Sequence, residues 1–101
     1  MNRIVFLAVT GMLVWACSEK TPGSTQPDGQ AIFEKYCVLC HGKDGALGLN
    51  GAGDLTKSTL TVEEKVTRIT RGKGMMTPYE GILTPEEIRA VALYTQQLKQ
   101  P

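Results

Sequence analysis

Two cysteines and a histidine lie within five consecutive residues, Cys37-Val38-Leu39-Cys40-His41. Thiols form disulfides or thioethers and bind soft metals, and an imidazole is the commonest side-chain metal ligand. A disulfide between Cys37 and Cys40 would close a very small loop and add little stability. A zinc site requires four ligands, whereas the chain has one histidine and a third cysteine that lies in a different segment. The motif therefore suits covalent attachment of a metal-bearing group better than a disulfide or a zinc site.

The spacing of these two thiols fits a porphyrin. Two cysteines three residues apart, followed at once by a histidine, form the signature of c-type haem attachment. Each thiol adds to one vinyl group as a thioether, and the adjacent imidazole points at the iron. A thioredoxin-like redox pair would require a βαβ context, and no segment alternates with the period of a strand. We therefore predict one covalent haem c on Cys37 and Cys40, with His41 as the proximal iron ligand.

The second axial ligand of the iron is limited by the donors that the chain offers. His41 is the only histidine, so ligation by two histidines within this chain is excluded. The two N-terminal methionines fall in a segment that is predicted below to be removed. Met75 and Met76 remain, in the segment 72–79, and a thioether sulfur is a known axial ligand. The alternative is that both methionines only pack in the core. We predict that one of them is the distal ligand.

Capping and apolar residues predict three helices that position these ligands. Asp28 is an N-cap candidate for the first helix. Thr61 and Thr84 each begin a capping box, with Glu64 and Glu87 three residues later. No strand is predicted. The predicted inner faces are Phe33, Tyr36, Cys37 and Cys40 on the first helix, Val62, Val66 and Ile69 on the second, and Ile88, Val91, Ala92, Thr95 and Leu98 on the third.

The domain that carries these helices is small and poor in large apolar side chains. The 101-residue chain allows one domain, and its aromatic residues are one tryptophan, three tyrosines and two phenylalanines. The hydrophobic core of a domain with fewer than roughly 80 residues, as predicted here from residue 29 onward, supplies only about 3–5 kcal/mol of stability. The glycine-rich loop 42–59 is also unusually long for a compact domain unless it wraps around a bound group. The composition therefore predicts a non-protein group in the middle of the domain. The net charge of +1 gives no sign of a nucleic-acid partner.

The first 28 residues are predicted to be an export signal and a linker. A basic start and an uncharged apolar run over residues 1–16 describe a signal peptide, and the run is shorter than the roughly 20 residues that a membrane span needs. Residues 14–17 resemble the lipobox of bacterial lipoproteins, which implies that Cys17 becomes the lipidated first residue; Trp15 is bulkier than that pattern usually has. Ordinary signal cleavage nearby and an uncleaved anchor are the alternatives. The Pro-, Ser- and Thr-containing segment 17–28, which begins with Cys17, is predicted to be a flexible linker.

Over residues 29–100 the chain resembles the class I cytochrome c family. The resemblance is carried by the motif at 37–41, by the Met-Thr-Pro segment at 76–78, and by Gly29, Phe33, Val91 and Tyr94. It implies a domain at 29–101 with a small all-α fold of about three to four helices packed around one covalently bound haem. In that fold the first and last helices cross, and Gly29 would permit a close approach because it has no side chain.

Two departures from the family pattern bear on the iron ligands. The family commonly has Met directly before Pro, whereas Thr77 intervenes here. A Met-Thr-Pro-aromatic version occurs in bacterial relatives, which favours Met76 over Met75. The family also often has a proline after the histidine whose carbonyl accepts the ring N–H, and this chain has none there; a backbone carbonyl from residues 51–55 is expected to take that place. Tyr79 is expected to pack beside the axial methionine, with a hydrogen bond to a haem propionate as the alternative.

The resemblance implies electron transfer by a single haem with histidine and methionine as axial ligands. The expected protein is no enzyme by itself, because both axial positions are filled. It is expected to be a monomer, tethered through a lipid on the periplasmic side of a bacterial membrane. Its redox partners would be a donor dehydrogenase or quinol-oxidising complex and an acceptor oxidase or reductase. The alternatives are a haem subunit of a larger oxidoreductase, and a haem-based sensor of small ligands with a labile methionine.

A haem-free variant tests whether the small core depends on the bound group. In Cys37→Ala/Cys40→Ala the thioether attachment is lost, and we expect a largely unfolded chain because the remaining apolar core is too small. Far-UV circular dichroism and thermal unfolding, compared with the wild-type holoprotein, give the measurement. Full native helicity with a cooperative thermal transition in the variant would contradict the prediction.

Overall fold

The computed structural model describes residues 26–100, together with Gly11. The predicted signal peptide, Cys17 and most of the predicted linker lie outside the described residues. Within the described residues, no helix is both long enough and apolar enough to span a bilayer.

Four α-helices and one short 3₁₀ turn make up the described part of the chain. The helices are α1 (Gly29–Tyr36), α2 (Val38–His41), α3 (Val62–Arg71) and α4 (Pro85–Gln96), and the 3₁₀ turn is Leu49–Gly51. Helix α4 is the common partner, since α1 and α3 both pack on it, while α2 contacts α1 and the 3₁₀ turn. Two isolated bridges are the only β-type pairings among residues 26–100. The predicted all-α class is confirmed.

The predicted helix starts are also confirmed. The Asp28 side chain accepts a hydrogen bond from the N–H of Ala31 and caps α1. Both capping boxes are formed: the hydroxyl of each cap threonine accepts from the N–H three residues later, and the glutamate there accepts from the threonine N–H. Each box satisfies two backbone donors that a helix leaves without partners.

The first predicted helix is broken in the structure. Cys37 has φ −115° and ψ −25°, and it separates α1 from the four-residue α2. Backbone hydrogen bonding continues through the junction: the N–H of Cys37 donates to the carbonyl of Phe33, and the carbonyl of Cys37 accepts from the N–H of His41. The carbonyl of Tyr36 accepts a tertiary bond from a distant tyrosine hydroxyl. A periodic pattern does not report such a bond, and the prediction of one continuous helix is wrong.

The core lies where α4 meets α1 and α3. Phe33 and Val91 are almost fully buried at its centre, and the rings of Phe33 and Tyr94 are 5.3 Å apart. A Cβ atom on Gly29 would lie 2.2 Å from the carbonyl oxygen of Ala90. The backbones of α1 and α4 therefore touch at this glycine, as expected from the sequence. The remaining buried apolar residues are Ile32, Ile69, Leu83, Ile88 and Ala92.

A lysine is buried between α3 and α4, which the sequence pattern did not predict. Lys65 is only 4% exposed, and its Nζ donates to the Thr95 hydroxyl at 3.0 Å. That hydroxyl in turn donates to the carbonyl of Ala92 at 2.8 Å. Burial lowers the pKa of Lys65 below its usual 10.5, and the nearby charge of Lys99 lowers it further. The α3–α4 contact therefore contains a charged group whose ionised form is disfavoured.

Gly29→Ala is expected to destabilise the protein by about 1–3 kcal/mol, because a methyl group would force the two helix backbones apart. Denaturant unfolding of the holoprotein gives the measurement. Gln30→Ala is the matched control, since Gln30 is exposed on the same helix. Equal free energies of unfolding for the two variants would contradict a close crossing at Gly29.

Lys65→Met is expected to remove a pH dependence of stability. Because its pKa is lowered on folding, the folded state loses this proton at a lower pH than the unfolded state does. The wild-type free energy of unfolding should therefore rise as pH increases from the folded-state pKa towards 10.5. The variant should lack this rise and be more stable than wild type at neutral pH.

Denaturant unfolding of the holoprotein at neutral pH and at about pH 10 measures the effect. Lys99→Met is the control. It removes the charge that contributes less to the lowered pKa of Lys65 and leaves the Lys65 amine buried, so most of the rise in the free energy of unfolding with pH should persist. A Lys65→Met variant with the same pH dependence as wild type would show that the buried amine is not its source.

Candidate functional site

The two thiols of the attachment motif lie at the α1–α2 junction and on α2. Cys37 and Cys40 are both free and partly buried. Burial raises the pKa of the Cys37 thiol to about 11, so without an attached group it stays protonated at neutral pH. A redox-active dithiol instead requires a lowered pKa. The environment of Cys37 therefore fits a thiol that is used for covalent attachment rather than for disulfide exchange.

The ring of His41 is oriented by a backbone carbonyl. Its Nδ1 lies 3.1 Å from the carbonyl oxygen of Gly53. Since a carbonyl only accepts, Nδ1 carries the proton and Nε2 is left as the donor for a metal. The expectation that a carbonyl from residues 51–55 would do this is confirmed, and Gly53 supplies it.

A turn closed by a side chain directly follows Gly53. Asp54 follows Gly53, and its Oδ1 accepts from the N–H of Thr56 at 2.9 Å and from the Thr56 hydroxyl at 2.6 Å. These bonds, chiefly the hydroxyl one, lower the pKa of Asp54. Sequence reasoning could not select Gly53, because every residue of the loop offers a carbonyl; the Asp-x-Thr turn beside it is the signal that narrows the choice.

The glycine-rich loop folds back on the rest of the domain. The N–H of Leu55 donates to the carbonyl of Gly45 at 2.9 Å. Gly45 has φ +85°, and a Cβ atom there would lie 2.9 Å from the Cβ of Leu55 and 3.1 Å from the Leu98 side chain. The loop therefore needs a glycine at this position. Large apolar side chains remain exposed on α2 and along the loop, namely Leu39, Leu47 and Leu49.

The two candidate distal methionines have different surroundings. The side chain of Met75 is 77% exposed, whereas Met76 is partly buried and packs against the hydrophobic core. The N–H of Met76 donates to the carbonyl of Lys73 at 2.9 Å. Gly72 ends α3 with φ +68°, and a Cβ atom there would lie 2.4 Å from the Met76 carbonyl oxygen. The turn therefore brings the Met76 backbone onto Gly72 and leaves Met75 in solvent.

The methionine loop is fastened at its far end by Tyr79. The Tyr79 hydroxyl donates to the carbonyl oxygen of Tyr36 at 3.0 Å, and the two rings meet edge to face with centroids 5.8 Å apart. The single proton of the Tyr79 hydroxyl is therefore directed at a backbone carbonyl. The sequence placed Tyr36 on the inner face of the first helix but gave no sign that its carbonyl accepts this bond, because every residue has a backbone carbonyl.

Comparison with known proteins assigns the family. Residues 24–94 match the family model described as cytochrome c oxidase, cbb3-type, subunit III. The chain belongs to the c-type cytochrome family. Cytochrome c6 of Leptolyngbya boryana is 39% identical over 72 residues, which cover 65% of this chain and 84% of that protein.

Solved structures agree with this assignment. Cytochrome c6C from Synechococcus sp. PCC 7002 shares 35% sequence identity with this cytochrome at a TM-score of 0.63, covering 71% of this chain and 94% of that one. The KustC0563 c-type cytochrome shares 28% identity at a TM-score of 0.66, covering 72% of this chain and 99% of that one. The small class I cytochrome fold is therefore confirmed.

The residues of this cytochrome fit the cofactor of its family. Members carry a covalently bound haem c, and the spacing of Cys37 and Cys40 matches its attachment. The protonated Nδ1 of His41 leaves Nε2 free as a donor atom, which fits a metal-bearing cofactor. When bound, the haem supplies reversible one-electron chemistry. The protein is thus an electron-transfer cytochrome with a single haem c.

Proposed function

We propose that this cytochrome is an electron carrier whose iron is held by His41 and Met76. The observation that carries the proposal is the contrast between the two methionines: Met76 packs against the core, and Met75 points into solvent. The bond from His41 Nδ1 to Gly53 supports the proximal assignment, because it fixes the tautomer with a free Nε2. Cys37 and Cys40 are the thioether positions.

Two protein ligands on the iron favour electron transfer over catalysis. With both axial positions filled, no site is left for a substrate, and little rearrangement accompanies the change of oxidation state. A thioether ligand also raises the reduction potential relative to stronger donors. By this reasoning the protein is not an enzyme by itself, and it exchanges electrons with protein partners, a donor dehydrogenase or quinol-oxidising complex and an acceptor oxidase or reductase.

Membrane attachment is a further part of the proposal, and it rests on sequence alone. An export signal at residues 1–16 and a lipidated Cys17 would hold the domain on the periplasmic side of a bacterial membrane. The segment 17–28 contains proline, serine and threonine and has no apolar face, so it would let the domain rotate between partners. Mass spectrometry of the membrane-extracted protein, read at Cys17, tests this attachment.

A subunit of a larger oxidoreductase is the second candidate. The match to an oxidase subunit III family over residues 24–94 favours it, whereas the high coverage of cytochrome c6 favours a separate carrier. The mass of the protein after gentle solubilisation of membranes separates the two. A mass near that of the chain alone supports the carrier, and a stable large complex supports the subunit.

Substituting each methionine in turn tests the distal ligand. Met76→Ala should abolish the weak red absorption band that the family shows for methionine bound to ferric iron, and it should allow prompt binding of carbon monoxide to the ferrous protein. Met75→Ala is the matched control and should retain the band and exclude carbon monoxide. Visible spectroscopy of both holoproteins gives the measurement. The opposite pattern would assign Met75 as the distal ligand. Prompt carbon monoxide binding by the wild-type protein would favour a sensor of small ligands over an electron carrier.

A further inference from the structure

One side-chain bond ties together the two segments that carry the proposed iron ligands. The Tyr79 hydroxyl donates to the carbonyl oxygen of Tyr36 at 3.0 Å, across 43 positions of the chain. Tyr36 ends α1 and directly precedes Cys37, while Tyr79 lies three residues after Met76. The bond therefore connects the residue directly before the attachment motif to the end of the methionine loop.

The Tyr79 backbone is fixed from the loop side. Its N–H donates to the carbonyl of Ile69 in α3 at 3.0 Å, and its own carbonyl accepts from the N–H groups of Ile82 and Leu83, each at 3.0 Å. Leu83 is in turn buried, at 6% exposed. A hydroxyl on a backbone held in this way loses little conformational freedom when it bonds to α1.

The acceptor side also favours a strong contact. The Tyr36 carbonyl lies in the last turn of α1, where helix carbonyls have no partner within the helix. Burial is the main cause that raises the pKa of the Tyr79 phenol. The phenol therefore stays protonated at neutral pH and remains a donor. Loss of the hydroxyl would leave a partly buried carbonyl without this partner.

We propose that Tyr79 is a positioning residue, whose hydroxyl bond to the Tyr36 carbonyl holds the methionine loop against the attachment motif and keeps Met76 in place. This inference rests on the proposed ligation by Met76. Movement of the segment between Gly72 and Tyr79 away from α1 would carry Met76 with it. The Gly72 end is the C-terminus of α3, so the Tyr79 end carries the one side-chain tether to the proximal side among the hydrogen bonds of residues 72–79.

Competition by an external ligand reports on this tether. Imidazole binds ferric iron only in molecules whose methionine has moved away, so its apparent affinity is proportional to the fraction of such molecules. Removing one hydrogen bond of ordinary net strength should raise that fraction, and with it the apparent imidazole affinity, about fivefold.

The experiment is an imidazole titration of the ferric holoproteins of wild type, Tyr79→Phe and Tyr36→Phe, followed by visible absorption. Tyr79→Phe keeps the ring and removes only the donor hydroxyl. Tyr36→Phe is the matched control: it also removes one phenol hydroxyl from the same ring pair, but it keeps the backbone carbonyl that accepts the bond. Denaturant unfolding of each variant separates local loosening of the loop from global destabilisation.

The proposal expects a rise of about fivefold in imidazole affinity for Tyr79→Phe and a wild-type value for Tyr36→Phe. An unchanged affinity in Tyr79→Phe overturns it, even if that variant unfolds more easily, since the tyrosine would then only stabilise the fold. An equal rise in both variants also overturns it, because ring polarity rather than the tether would be responsible. If Met76→Ala retains the red absorption band, the assignment of Met76 as the distal ligand has failed. If Met76→Ala loses the band while Tyr79→Phe shows the wild-type imidazole affinity, only the positioning role of Tyr79 has failed.

Discussion

The contact of α1 with α4 at Gly29 is the constraint on which the rest of the structure depends. The absent side chain lets the two backbones meet, and Phe33 then packs beside Tyr94 in the core. Because α1 leads directly into the attachment motif, the crossing of α1 and α4 also fixes the position of Cys37. Helix α4 also packs on α3, whose end leads into the methionine loop. One helix therefore sets the positions of both the attachment motif and the methionine loop.

In this small domain, backbone carbonyls position side chains of the candidate site. The His41 ring is held by the Gly53 carbonyl, and the methionine loop is held by a phenol that donates to the Tyr36 carbonyl. Glycine permits the close turn at Gly72, where any side chain would collide with the Met76 carbonyl. A domain with few large side chains can place its ligands in this way because every residue provides a carbonyl, and loops can turn sharply wherever glycine is present.

The features predicted correctly from sequence are those set by local chemistry. Helix starts followed from cap residues, since a threonine and a glutamate three residues apart satisfy each other's backbone donors. The inner face of α4 followed from helical periodicity, and Ile88, Val91, Ala92 and Thr95 are all buried. The predictions that failed or were missing depend on distant contacts. The break at Cys37 and the burial of Lys65 against Thr95 involve partners that no local pattern identifies.

The sequence by itself determined the cofactor class, the helical character of the fold and the small set of side chains that could bind an iron. These follow from residue types and short spacings, which act through covalent and local hydrogen-bond geometry. Only the tertiary structure decided that the Gly53 carbonyl orients His41, that Met76 faces the core while Met75 faces solvent, and that Tyr79 reaches Tyr36. The side chains of neighbouring methionines and the backbone carbonyls of one loop are chemically alike, and the packing of distant segments is what gives them different surroundings.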